Sequence, residues 1–454
     1  MNDQLPKFID LFIKEIRKKK KEFNHILERG PIDALLKDFN KLFSEHWHSL
    51  QKEFIEDAHI FAIDGSVGSR EYWNGARLLV SRALAISNRR ERLRNLEVRI
   101  FRSRGSEEDI HWYISHKSEL LEVWLAFEAL DRMKGSKNVL LIDGSLYGRL
   151  VHPPEETPVE GDRTLLIDLA EAFCKLLSEC RRRNVIIVGV SKDSRVENFR
   201  DLLLKRMISD ELKRLEPYME TEDLNLLKKS IHFIKDRPNY SLSLLRKLKS
   251  KYGNLLRHIG NLLMENARSL PDSQLIRYFA EAPGYSTPIL LGLPEWARRE
   301  ITALEKYPKK YMSSKFKYAL LETDMSEEEF IERAVNVYNR VFESSTIVTY
   351  HLLFDIHDIP LRIDVPSWVL GIDKRMKDNL ESVFIENPGV VGSINSILRA
   401  GYAGLRNYNI LLKRVDEEVR LTNKDLDSIY ERVLEKELGT ILTHTRRYRR
   451  VRIP

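Results

Sequence analysis

The sequence predicts an α/β protein in which a mixed sheet is flanked by helices, with a helical insertion and helical N- and C-terminal extensions. Three observations predict it. Short continuous Val/Ile/Leu runs alternate with helical patterns between residues 57 and 195, the signature of strands covered on both faces. Two of these runs, Ile60-Phe-Ala-Ile63 and Val139-Leu-Leu-Ile142, each deliver an Asp-Gly-Ser. Residues 196 to 280 are Leu-, Lys- and Glu-rich at helical spacing, with almost no strand pattern.

In chain order, residues 3 to 56 read as helical: Phe8, Ile9, Phe12, Ile13 and Ile16, then Leu35, Leu36, Phe39, Leu42 and Phe43, recur three and four apart. The first apolar run follows His59 and gives way at Asp64-Gly-Ser66 and Val67-Gly-Ser69 to a loop composition. Leu78 to Ile86 and Val98 to Phe101 read as strands about the polar segment from Asn88 to Asn95. Ser118 to Met133 carries a wide apolar helical face that Gly135 ends. After the second Asp-Gly-Ser comes a helix from about Thr164 to Arg183, and then the strand Val185-Ile-Ile-Val188. Beyond the helical insertion, strands resume at Ile289–Leu291, Thr346–Phe354 and Leu361–Val365, and helices run from about Asp373 through Leu442. The resulting division is 1–56, an N-terminal helical region; 57–195, the first part of the core; 196–284, the insertion; and 285–454, core completion with C-terminal helices and a basic tail.

At roughly 150 residues per domain, 454 residues allow about three units or one large mixed domain with insertions. A composition of 43% hydrophobic residues with 20 Gly and 16 Pro excludes collagen-like and fully disordered classes. No run of about 20 apolar residues occurs, which excludes a spanning helix. The start is apolar before it is basic, unlike a secretory signal, and the expected location is cytoplasmic. Cys174 and Cys180, six apart on one helix, match no metal-ligand spacing and read as small buried hydrophobes; with twelve scattered His, no structural zinc site is expected.

The formal charge of +7 is modest, but its distribution is uneven. Lys18 to Lys21, the arginines between Arg82 and Arg104, and five Arg in the last eleven residues form clusters that suit a polyanion. Taken singly, each also fits a solvated charged face.

Asp64 and Asp143 each follow an apolar strand in a Gly/Ser segment. If those strands are neighbours, both carboxylates emerge at one sheet edge, where their repulsion favours a divalent cation such as Mn2+ or Mg2+. The matching chemistry is metal-assisted hydrolysis of a phosphodiester. Glu119, Glu122, Glu128 and Asp131 on the preceding helix are available as a third acid, with Glu122 and Glu128 at the border of its apolar face. The order of strand with Asp, hairpin, helix with acid, and strand with Asp is that of ribonuclease-H-like folds.

On Ile63-Asp-Gly-Ser66, Leu140-Leu-Ile-Asp-Gly-Ser-Leu146, Val188-Gly-Val-Ser-Lys-Asp-Ser-Arg195, Leu361-Arg-Ile-Asp-Val-Pro366 and Gly401-Tyr402, the chain resembles the NurA nucleases, partners of HerA-type hexameric DNA translocases. The resemblance spans about Phe61 to Tyr408. It implies an RNase-H-like core, a homodimer, and an Mn2+- or Mg2+-dependent nuclease trimming 5′ strands at DNA ends and cutting single strands, in repair or anti-phage defence. Asp64 and Asp143 match the family's metal-binding aspartates, and the helix acid is Glu128 or Glu122. Lys192 is expected in catalysis, and Ser66, Arg70, Tyr72, Ser145, Lys192 and Arg195 at the nucleic acid. One motif departs. The family's Gly-Tyr-Pro is followed by a Leu and a metal-site His, whereas here Ala403 replaces the Pro and Asn409 or Ile410 stands for the His. Asn offers an oxygen but cannot act as imidazole does, so either full catalytic competence is lost or another group, such as Tyr408 or His444, serves. The alternative function is a catalytically decayed subunit that clamps DNA or docks a translocase.

Tyr72-Trp73 and His111-Trp-Tyr113 place aromatics near arginines, where they suit base stacking or core packing. Ser145 and Ser191 lack a nucleophile elbow. No phosphate-binding Gly-rich loop or dinucleotide fingerprint occurs, so energy for movement on DNA must come from a partner.

Overall fold

The computed structural model describes residues 8–27, 30–50, 57–152, 155–386, 389–440 and 442–445. The arginines of the C-terminal tail from Arg446 onward lie outside the described residues, as does part of the N-terminal region. The chain divides into two compact units, Met1–Trp47 with Arg195–Glu281, and His48–Ser194 with Ala282–Pro454. The N-terminal helices and the helical insertion thus share one unit, and the core segments share the other.

The second unit holds the sheet. Its principal elements are β1 Ala58–Glu71, β2 Arg77–Ser87, β3 Arg92–Phe101, α1 Glu107–Arg132, β4 Lys137–Asp143, α2 Leu146–Leu150, α3 Leu165–Arg182, β5 Val185–Ser191, β6 Ile347–Leu353, β7 Leu361–Pro366, α4 Val390–Ala400 and α5 Ile410–Val419. The strand order is β3-β2-β1-β4-β5-β7-β6. β1, β4 and β5 run parallel, while β2, β3 and β7 pair antiparallel with their neighbours. This is the expected RNase-H-like mixed sheet. No helix among the described residues is long and apolar enough to cross a membrane.

Several predicted details change, among them the strand expected from Val98, which begins at Arg92 within the segment read as a turn. The segment read as a loop after Asp64 is strand, paired with β2 from Phe61↔Ser87 to Glu71↔Arg77. A partner strand satisfies the backbone of a Gly/Ser-rich segment that side chains alone do not mark as β. The helix read from Ser118 begins at Glu107, where Ser106 and Asp109 form a capping box.

One face of the sheet carries a continuous core from Ala58 and Ala62 on β1, Val139 and Leu141 on β4, and Val188 and Val190 on β5 to Ile394 and Ile397 on α4 and Leu412 and Val415 on α5. α1 packs against β1, β2 and β3. In the helical unit, Asp272 accepts hydrogen bonds from the backbone N–H groups of Phe199 (3.0 Å) and Arg200 (2.8 Å), and the buried Arg200 pairs with Glu265 at 2.9 Å. Cys174 and Cys180 are buried free thiols.

Candidate active site

Parallel pairing of β1 and β4 sets Ile63 beside Ile142, so the next residues, Asp64 and Asp143, lie beside each other. Side chains alternate along a strand, and each aspartate sits two residues beyond a core residue, Ala62 or Leu141. Both therefore project from the face that packs on α4 and α5. The backbone N–H of Gly65 donates to Asp64 Oδ1 at 2.8 Å. Burial, then the charges of Asp143 and Glu122, pushes the Asp64 carboxyl up to about 8.

The helix acid whose charge acts on these aspartates is Glu122, on the Gly65 side of β1. A Cβ built on Gly65 would lie 2.4 Å from Glu122 Oε1 and 2.4 Å from Ser118 Oγ. The glycine of the first Asp-Gly-Ser leaves the space in which the Glu122 carboxylate sits. Burial raises the proton affinity of Glu122 against the pull of Arg149, whose Nη2 donates to Glu122 Oε2 at 2.6 Å and to the Asp143 carbonyl at 3.0 Å. Glu128, the other candidate, is exposed. At about 100° per residue, six residues turn it roughly 120° away from Glu122, so the expectation that it joins the two aspartates is corrected.

Lys192, just past β5, places Nζ 3.0 Å from Asp143 Oδ2. It also donates to the Tyr408 hydroxyl at 3.3 Å, which in turn donates to Asp143 Oδ2 at 3.3 Å. Burial works against the Lys192 ammonium, but the Asp143 carboxylate outweighs it and holds its proton affinity above the ordinary range. Tyr408 lies in the departed C-terminal motif. Its neighbour Asn409 is buried and caps α5, accepting from the N–H groups of Leu411 and Leu412, each at 3.1 Å. The Asn409 oxygen is thereby committed to the backbone, and Ile410 is half exposed.

The other expected residues divide. Ser145 caps α2 and donates to the buried Asp364 at 2.7 Å; Asp364 also pairs with Arg362 at 2.9 Å and accepts from the N–H of Tyr147 at 3.3 Å. The Leu361–Pro366 strand thus anchors the second Asp-Gly-Ser, a role that the sequence pattern alone did not mark. Ser66 accepts from the N–H of Leu421 at 2.8 Å. Arg195 is exposed and opens the second segment of the helical unit. Arg70 and Tyr72 are buried against the C-terminal segment rather than presented to a polyanion: Arg70 pairs with Asp427 at 2.9 Å, and Tyr72 donates to Glu431 at 3.1 Å. His444 joins that cluster, 3.2 Å from Glu431. Of the 82 to 104 arginines, Arg82 donates to the carbonyls of Val419 and Arg420, Arg92 pairs with Glu418 at 2.8 Å, and Arg99 pairs with Asp162 at 2.6 Å. Part of that cluster is thus engaged by contacts within the chain.

Three carboxylates with mutual repulsion and all-oxygen donors suit a hard divalent cation, with Asp64 and Asp143 side by side on adjacent strands. Glu122 is drawn back by Arg149, and the three do not converge within 4.8 Å.

A family model described as NurA domain matches residues 58–421. The fold is similar to the crystal structure of the NurA nuclease from Sulfolobus solfataricus, at 15% identity over 95% of this chain and 98% of that one, with a TM-score of 0.53. A crystal structure of NurA bound to dAMP and manganese is similar at 15% identity over 94% and 99%, with a TM-score of 0.45. No curated protein matches the chain in sequence.

Proposed function

Because the chain belongs to the NurA-domain family, we propose that it is a divalent-metal-dependent deoxyribonuclease that hydrolyses phosphodiesters with Mn2+ or Mg2+. The observation that carries this reading is the pair Asp64 and Asp143 on adjacent parallel strands, with Glu122 behind Gly65. Asp64 and Asp143 would hold the cation, and the Glu122 charge beyond Gly65 adds to the negative field there. Bound there, a divalent ion supplies Lewis-acid stabilisation of charge developing on the phosphoryl group.

The chain's own groups do the rest. Lys192 Nζ, 3.0 Å from Asp143, keeps one positive charge at the strand ends where a phosphate oxygen would lie. The Tyr408 hydroxyl holds Lys192 and Asp143 in one hydrogen-bonded set. Arg149 pairs with Glu122 at 2.6 Å and ties the α2 segment to α1.

The finer reading is a 5′-to-3′ exonuclease and single-strand endonuclease that acts on DNA ends as a homodimer with a HerA-type hexameric translocase, in the cytoplasm, during end resection, repair or anti-phage defence. The motif match supports it, as does the absence of a nucleotide-binding motif that could drive movement. The rival reading, a decayed DNA-clamping or translocase-docking subunit, rests on Asn409, whose oxygen is committed to a helix cap.

Labelled single-stranded and blunt duplex DNA, incubated with Mn2+, Mg2+ or EDTA, separates the two. Cleavage that needs metal and is abolished in Asp64→Asn and Asp143→Asn supports the nuclease. Binding without cleavage under every condition supports the rival.

A further inference from the structure

On α1 and just after α2 lies a group of different chemistry. His116 and Glu119 are three residues apart on α1 and share one face of it. His152 follows α2 and completes the group: one ligand atom from each residue lies within 4.8 Å of the other two. Among the described residues this is the one set of three such side chains that converges so closely.

The group has the marks of a built site. His116 is buried, with 8% of its surface exposed, its ring stacked on Trp112 at 5.9 Å and set edge-on to His152 at 4.6 Å. His152 Nε2 and Glu119 Oε2 stand 3.8 Å apart, too far for a hydrogen bond. Both atoms are buried and make no hydrogen bond. A buried imidazole nitrogen and a carboxylate oxygen left facing each other are costly unless something lies between them. A tetrahedral ion with bonds of about 2.0–2.1 Å spreads neighbouring donor atoms roughly 3.4 Å apart, near the separation observed.

We propose that His116, Glu119 and His152 form a second metal site, for a borderline transition-metal ion such as Zn2+, distinct from the Asp64–Asp143 pair. The donor sets argue for different ions. Two imidazoles and one carboxylate suit zinc, whereas carboxylates alone suit Mg2+ or Mn2+. Three protein ligands leave a fourth position for water. The expectation of no structural zinc rested on cysteine spacing and on the scatter of the twelve His; here the fold gathers two of those His with a Glu, a helical pair and a third residue farther along the chain.

The site's effect follows from what it joins. Glu119 and Glu122 both act electrostatically on Arg149. An ion at Glu119 would fasten α1 to the segment carrying Arg149 and His152, and so fix the register between Glu122 and its ion-pair partner. The role is positional, and its test does not depend on nuclease activity.

The Asp64→Asn/Asp143→Asn double variant removes the aspartate site, and Co2+ then reports on the second site through the visible absorption of a tetrahedral ion. The expected result is about one Co2+ retained per chain with that absorption, displaced by Zn2+, and a melting temperature raised by Zn2+. Adding His116→Gln or His152→Gln should abolish all three, with circular dichroism checking the fold; His152, in the segment after α2, provides the test if the buried His116 does not tolerate change. No retained Co2+ in the double variant, or undiminished Co2+ binding after both histidine substitutions, would overturn the proposal.

Discussion

The carboxylate of Glu122 occupies the space that a side chain at Gly65 would fill, since a Cβ there would approach Oε1 to 2.4 Å. The glycine of the first Asp-Gly-Ser is thus a packing requirement of the helix acid. Gly65→Ala should displace Glu122 and Ser118, destabilise the fold by about 1–3 kcal/mol as overpacking does, and lower cleavage by about 10²-fold through misplacement of the site. Urea unfolding and a nuclease assay at a temperature where the variant is folded read the two effects separately. Wild-type stability and rate would show that the helix acid does not sit where the structure has it.

A pH effect follows from Asp64, whose carboxyl is pushed up to about 8 from an ordinary 3.8, first by burial and then by Asp143 and Glu122. Between those values the folded, metal-free chain keeps a proton that the unfolded chain has released. Stability therefore falls as pH rises through that window, being fully present below about 4 and lost by about 8. Asp64→Asn should flatten this slope and make the metal-free chain the more stable one near pH 8. Denaturant titrations in EDTA at about pH 5 and pH 8 measure it, and parallel slopes in the two proteins would contradict the assignment. Because the cation must displace that proton, metal affinity should also rise with pH.

Besides the Tyr408 hydroxyl, Lys192 has two candidate anions, Asp143 in the free chain and phosphate in the complex. If it meets phosphate, Lys192→Ala weakens DNA binding alike across sequences and lowers the slope of log affinity against log salt by about 1. An unchanged slope with reduced cleavage would confine Lys192 to holding Asp143. Filter binding across a salt series, with Ca2+ in place of Mn2+, distinguishes them.

How much of this was legible in the sequence depends on how far apart in the chain the deciding contacts lie. Asp64 and Asp143 stood out because an apolar run and a Gly-Ser are local signals. Glu122 and Glu128 both read as border residues of the helix's apolar face, and the burial of Glu122 against Gly65 is what separates them. Arg70 and Tyr72 looked available for DNA because nothing nearby announces that Asp427 and Glu431 bury them. The strand from Asp64 to Glu71 was hidden for a related reason: its Gly and Ser residues are poor strand formers, and β2 supplies the pairing that decides the matter.

Tyr408 and Asn409 are adjacent, but the structure gives them separate duties, and paired substitutions can expose this. Asn409 Oδ1 accepts the N–H groups of Leu411 and Leu412 at the start of α5, the helix that packs against β1 and β2. Asn409→Ala should cost about 0.5–2 kcal/mol, the usual loss of an N-cap, with cleavage nearly intact while the chain stays folded. Tyr408→Phe removes the hydroxyl between Lys192 and Asp143, so cleavage should fall by about tenfold while stability shifts by no more than about 1 kcal/mol. Asn409→His is the informative third variant. It restores the imidazole of the family motif but loses an oxygen that accepts two backbone donors, so it should be destabilised like the Ala variant and gain no activity. Denaturation midpoints set beside initial cleavage rates test all three, and a gain of activity in Asn409→His would return position 409 to the metal site and remove Tyr408 from its proposed place.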